Sequence, residues 1–191
     1  MAQGKIVIIS APSGSGKSTI VAELIKDAAL NLAFSISATT RPPRGSETNG
    51  KEYYFMTVDQ FKAALERDEF AEYQEVYPGR YYGTLKSEIS RIANGGKNVL
   101  LDIDVKGGVN VKHMYGDRAV GIFIQAPSIE ELRHRLYNRG TDTVEEIEKR
   151  VNKAAFELTF ADKFDHVVVN DQLDKSVHQV HDIVEKFLSQ E

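Results

Sequence analysis

Near the N-terminus, the stretch Ser10-Ala11-Pro12-Ser13-Gly14-Ser15-Gly16-Lys17-Ser18-Thr19 has the residue types and spacing of a phosphate-binding loop. Gly14 and Gly16 can take backbone conformations closed to other residues, so successive N–H groups can turn inward around phosphate oxygens. A helix that starts directly after the loop adds its unpaired N–H groups and its dipole to the same anion site. Lys17 supplies a mobile positive charge for terminal phosphates, and Ser18 a hydroxyl suited to Mg²⁺. Ala11 stands where the pattern has its first glycine; a small side chain is expected to fit there if φ is negative. The loop predicts a nucleoside triphosphate site.

Other residues suit phosphate chemistry. Asp102 closes an apolar run and is placed as a Walker-B-like acid, with Asp104 two residues on. Arg41 and Arg44 flank a proline turn, Arg135 and Arg139 are four apart on one expected helix face, and Arg150 follows on the next helix. Arginine captures phosphate with a two-pronged hydrogen bond and stabilises charge on a phosphoryl group in transit. On spacing alone, Arg41 and Arg44 also suit surface ion pairs, and the two acids also suit a strand-ending turn. His178 and His181 lie one turn apart beside Asp182, on the polar side of an amphipathic helix; a solvated face is expected there, not a metal site.

These residues need elements to hold them. Lys5–Ser10, Asn98–Asp102, Val120–Ile124 and His166–Val169 read as buried strands, and amphipathic segments separate them. The alternation predicts an α/β fold: a parallel sheet flanked by helices, of the P-loop NTPase type. Helices are expected over about 17–28 and from Leu85 to Asn94, where Gly95-Gly96 stops it. Capping boxes are expected at Thr57 with Gln60, Ser128 with Glu131, and Thr143 with Glu146. Phe34–Thr40 alternates at period two and predicts one half-buried strand. Between Tyr53 and Tyr82 fall six of the eight tyrosines, in short aromatic strands, and this predicts an inserted, mostly antiparallel subdomain. The last helix carries Val177, Val180, Ile183, Val184, Phe187 and Leu188 as a core stripe.

With 191 residues, 41% hydrophobic and 27% charged, the composition fits one globular domain with an insertion. A net charge of −4 disfavours nucleic acid as a partner, because a broad polyanion grip calls for a basic surface. Without cysteine there is no disulfide, thiol nucleophile or thiolate metal site. No apolar run is long enough to span a membrane, and the N-terminus leads straight into a strand, so a cytoplasmic protein is expected.

Taken in order, Ser10–Thr19, Ser35–Arg44, Asn49-Gly50-Lys51-Glu52-Tyr53, Tyr81-Tyr82-Gly83, Leu101-Asp102-Ile103-Asp104, Arg139-Gly140-Thr141 and Val169-Asn170-Asp171 resemble guanylate kinase, a nucleoside monophosphate kinase family, over nearly the whole chain. The resemblance implies transfer of the γ-phosphoryl group of ATP to GMP with Mg²⁺. It implies a core of 1–34 and 84–191, a GMP-binding insert of 35–83 and a lid of about 138–151. It implies ATP contacts at Ala11, Pro12, Ser13, Gly14, Ser15, Gly16, Lys17, Ser18 and Thr19, with Asn170 near adenine. Arg41, Arg44, Tyr53 and Tyr82 would hold the GMP phosphate; Ser37, Glu72, Thr84 and Asp104 would read guanine. Lys17, Arg41, Arg135, Arg139 and Arg150 would act on the reacting phosphates, and Ser18 with Asp102 would hold the metal. Thr84 stands where serine is expected, and Lys106 where a neutral residue is common. Two other readings stay open: a non-catalytic module that binds phosphorylated peptides in the acceptor site, and a kinase for another phosphorylated acceptor.

Overall fold

Residues 3–140 and 142–190 are described by a computed structural model. The first apolar run forms β1 (Ile6–Ser10), buried along its whole length. Ile6 and Ile8 face one core layer and Val7 and Ile9 another, as a strand covered on both faces requires. The phosphate loop leads from β1 into α1 (Lys17–Lys26). The chain returns as β2 (Leu32–Phe34), then passes to β3 (Ala38–Thr39), β4 (Tyr54–Phe55), α2 (Val58–Glu66), β5 (Phe70–Tyr77) and β6 (Arg80–Leu85). The remainder alternates: α3 (Lys86–Asn94), β7 (Asn98–Asp102), α4 (Val105–Tyr115), β8 (Ala119–Gln125), α5 (Ile129–Asn138), α6 (Val144–Leu158), β9 (His166–Val169) and α7 (Leu173–Ser189).

The main sheet is parallel, in the order β2-β7-β1-β8-β9. On one face Ile89, Ile92 and Val111 of α3 and α4 pack on Ile8, Leu101 and Phe123. On the other, Ile20 and Leu24 of α1 and Val180 and Val184 of α7 pack on Ile9, Leu100 and Val168. The expected core stripe of the last helix is in this layer. The second sheet, β4-β3-β6-β5, is mixed: β3 and β4 are parallel, and β6 is antiparallel to both β3 and β5. Its own small core centres on Phe61, which stacks on Phe70 at 4.2 Å and Tyr81 at 5.2 Å. A third cluster, around Leu132, Leu136, Ile147 and Val151, clamps α5 to α6.

Three expectations are corrected. Phe34–Thr40 is not one strand. Phe34 pairs with Leu100 in the main sheet, Ser35 N–H donates to the Leu100 carbonyl at 3.0 Å, and Ala38 pairs with Gly83 in the second sheet. The segment is the crossing between sheets, and period-two alternation cannot reveal a change of partner. Ser128 accepts from Glu131 N–H but the reciprocal half of the box is missing, because the Glu131 carboxylate accepts instead from Arg135 Nε at 2.7 Å. His181 is not merely solvated: its Nε2 lies 2.7 Å from Asp27 Oδ2, tying α7 to the end of α1. The other two boxes are complete on both sides.

Candidate active site

β1 ends at the carboxyl edge of the sheet, where ligands of open α/β folds gather. Gly14 and Gly16 have φ of 90° and 86°. The only non-glycine residues with positive φ among those described are Asn31 and Asp68, so Ala11 sits in ordinary backbone, as its size requires. Gly16 is needed twice over, for its φ and because a Cβ would lie 2.2 Å from Asn170 Nδ2. Asn170, 4% exposed, donates that amide to the Ser15 carbonyl at 2.8 Å and so pins the loop from the end of β9.

Ala11 through Thr19 line a cavity of about 370 Å³ together with Asp102, Ile103, Asp104, Arg139, Lys153 and Glu157. Lys17 Nζ is ion-paired with Asp102 at the end of β7. Arg150 of α6 reaches the loop, donating from Nη1 to Ser13 Oγ at 2.9 Å and from Nη2 to Asp142 at 3.3 Å. Arg139 follows directly on α5, and the packing of Leu136 against Gly14 sets that helix on the loop. Arg135 is held one turn back by Glu131 and is not among the residues lining the cavity. Thr141 lies outside the described residues.

Asp104 links this cavity to a second cluster. Its Oδ1 caps α4 by accepting from Gly107 N–H at 2.8 Å. A Cβ on Gly107 would come 2.7 Å from Glu72 Oε2, so α4 can start here only because glycine leaves room for that carboxylate. Glu72, on β5, is 8% exposed and accepts from Thr84 Oγ1 on β6 at 2.6 Å. Burial pushes its carboxyl up to about 7, the nearby Asp104 charge adding to the effect and the Thr84 hydrogen bond opposing it. Ser37 lies on the crossing between sheets, its carbonyl accepting from Tyr54 N–H at 2.9 Å. Glu88 braces that crossing, accepting from Ile36 N–H at 3.2 Å and the Tyr54 hydroxyl at 2.9 Å.

The arginine turn carries a third cluster. Arg41 is 6% exposed and lies over the Tyr53 ring at 4.8 Å, and Tyr53 meets Tyr82 edge-on at 5.9 Å. Arg44 is exposed on the turn. This cluster is cationic and aromatic; the one that Asp104 ties to the phosphate loop is acidic and hydroxylic.

Comparison with known proteins bears on this arrangement. The family model described as guanylate kinase matches residues 3–187. The guanylate kinase of Bacteroides thetaiotaomicron is 54% identical, over 98% of this chain and 92% of its own. That of Porphyromonas gingivalis is also 54% identical, over 97% of this chain and 98% of its own. The chain belongs to the guanylate kinase family. A crystal structure of guanylate kinase from Anaplasma phagocytophilum superposes with a TM-score of 0.75 at 29% identity, covering 100% of this chain and 89% of that one.

For a guanylate kinase family member the cleft holds two residues that the sequence reading passed over. Lys153 and Glu157 line it from α6, their charges 3.6 Å apart. Burial raises the Glu157 carboxyl above its ordinary range, against the pull of Lys153. The signal was present: Arg150, Lys153 and Glu157 fall at i, i+3 and i+7, one helix face. Lys106 stays out of the cleft, its ammonium 5.4 Å from the Phe156 ring centre.

Proposed function

We propose that this chain transfers the γ-phosphoryl group of ATP to GMP, forming ADP and GDP. One observation carries the reading: a phosphate loop with intact Gly14, Gly16, Lys17 and Ser18 adjoins a buried carboxylate, Glu72, held beside a hydroxyl. Guanine presents N1–H and an exocyclic amine side by side, two donors that one carboxylate accepts together, whereas adenine offers an acceptor at N1. A site built on such hydrogen bonds rejects an analogue lacking them by up to ~10⁴–10⁵. Ser37 and Thr84 hydroxyls suit the guanine carbonyl, and Arg41, Arg44, Tyr53 and Tyr82 the acceptor phosphate.

The chemistry needs little from the protein beyond alignment and charge. The second phosphate pKa of a monophosphate is near ~6, so at neutral pH the acceptor oxygen is already an anionic nucleophile and needs no general base. That oxygen forms the new bond to the γ-phosphorus as the bond to the β–γ bridging oxygen breaks, and ADP leaves with the electron pair. Lys17, Arg139 and Arg150 supply positive charge where it develops, and Arg135 joins them as the lid closes. Ser18 and Asp102 line one cleft with hard oxygen donors, the set that suits Mg²⁺. Bound Mg²⁺ would neutralise charge on the β- and γ-phosphates. Asn170 holds the loop and would lie near adenine.

The chain divides functionally into a core of 1–34 and 84–191, a GMP-binding insert of 35–83 and a lid of about 138–151. Closure of insert and lid excludes water and so prevents hydrolysis of ATP. Among the described residues no helix is long and apolar enough to cross a membrane, and a cytoplasmic setting suits a cysteine-free chain that consumes ATP. Lys17→Ala tests the assignment. Turnover should fall to background, while stability changes by about 1 kcal/mol or less, since Asp102 is partly open to water. An active Lys17→Ala protein would overturn the phosphate-loop role.

A further inference from the structure

A guanidinium has two edges that can each meet two oxygens: the end-on edge of Nη1 and Nη2, and the side-on edge of Nε and Nη2. In Arg41 the end-on edge is taken. Nη1 and Nη2 donate to the two oxygens of Glu47 at 2.6 and 2.7 Å, and Nη1 also donates to the Pro42 carbonyl at 3.0 Å. Nε–H has no hydrogen-bond partner among the described residues and is not one of their buried unpartnered polar atoms, so it is open to solvent. The ring centres of Tyr53 and Phe55 lie 4.8 and 5.7 Å from the guanidinium carbon, and the Tyr82 hydroxyl approaches the guanidinium closely enough to favour its charged form, although no hydrogen bond of normal length joins them.

Glu47 is fixed in turn. Its Oε2 accepts from Arg44 N–H at 2.8 Å, and its own N–H donates to the Arg44 carbonyl at 3.0 Å. The Arg41 guanidinium, with the Arg44 backbone, holds the Glu47 carboxyl down at about 2, so it is ionised throughout the working range. The carboxylate is thus tied to the backbone of the turn that carries both arginines.

We propose that Glu47 is a positioning residue: it grips the end-on edge of Arg41 so that the side-on edge, Nε with Nη2, faces the phosphate of the acceptor nucleotide. The inference rests on reading the chain as a GMP kinase and goes beyond it, because it assigns the acceptor site a residue of the same sign as its ligand. An acid beside a phosphate site repels the ligand unless it does something more useful there. Here it removes the rotamer freedom of Arg41, so the fork meets two phosphate oxygens without reordering.

Calorimetric titration of the full chain with GMP and with guanosine tests this, in wild type, Glu47→Gln, Glu47→Ala, Arg41→Ala and the Arg41→Ala/Glu47→Ala double variant. Losing one or two charge-assisted hydrogen bonds predicts that Glu47→Ala binds GMP about 10- to 100-fold more weakly, with guanosine affinity unchanged within about twofold. Glu47→Gln, which keeps one acceptor oxygen, should recover part of the loss. Adding Glu47→Ala to Arg41→Ala should cost nothing further. Tighter GMP binding by Glu47→Ala would show the carboxylate to be a competitor of the phosphate and overturn the proposal. Equal losses for GMP and guanosine, or additive losses in the double variant, would reduce it to a structural brace and overturn it too. A wild-type chain that binds neither ligand would instead overturn the acceptor reading itself, and the proposal with it.

Discussion

Glu72 should make recognition of guanine depend on pH in a way that a phosphate-free ligand exposes. The carboxyl sits at about 7 because it is buried, with Asp104 nearby. Accepting both guanine donors requires the ionised form, so below that pH each binding event must first release a proton. The ionised fraction is about 90% at pH 8 and about 10% at pH 6, which weakens guanosine binding about tenfold between them. Guanosine is the right probe because GMP carries its own phosphate ionisation near ~6, which would overlay the effect. Binding at pH 6 should release close to one proton, measurable as a buffer-dependent heat in calorimetry. His113 lines a groove with Glu72 on the α4 side, so His113→Gln serves as a control that should leave the slope intact. Glu72→Gln should bind guanosine weakly and without the slope. The sign for stability is fixed as well. The folded-state pKa lies above the unfolded value of 4.5, so the unfolded chain releases its proton first, and the fold loses about 3 kcal/mol as pH rises from about 4.5 to 7. Glu72→Gln should therefore melt higher than wild type at pH 8. Flat guanosine affinity between pH 6 and 8 in wild type, or a slope that survives in Glu72→Gln, would refute the reasoning.

Gly107→Ala sets two effects against each other. On helix propensity alone it should stabilise α4 by about 1 kcal/mol, yet its Cβ would stand 2.7 Å from Glu72 Oε2. We expect guanosine affinity to fall at least about tenfold with ATP affinity unchanged, read by parallel titrations. Asn170→Ala should do the reverse. It leaves the Ser15 carbonyl without its 2.8 Å donor inside the fold, a cost of about 1–3 kcal/mol, and should weaken ATP binding while guanosine is unaffected.

What could be read from the chain was local. The phosphate loop, β1, β7, β8 and β9, and the boxes at Thr57 and Thr143 each depend on neighbours within a few residues, and all are present. What escaped depends on which partner each group takes, near or far along the chain. β2 and β3 look like one strand until Leu100 and Gly83 claim different ends of it. α4 hides behind Gly107 and Gly108, two poor helix formers kept because Cβ atoms there would strike Glu72 and Ser10 at 2.7 and 2.8 Å. Ser128 resembles a full box, but Arg135 has taken the acid. That same pair holds Arg135 one turn back from the cavity. Glu47 gave no signal, because an acid beside two arginines reads as an ordinary ion pair until the edges of the guanidinium are counted.

The most direct test of the central claim is ADP release from Mg-ATP with GMP, AMP, CMP, UMP or no acceptor. The account predicts turnover with GMP, at least about 10³-fold above the other acceptors in kcat/KM, and none without an acceptor. Comparable turnover with another nucleotide, or none with GMP from folded protein, would contradict it.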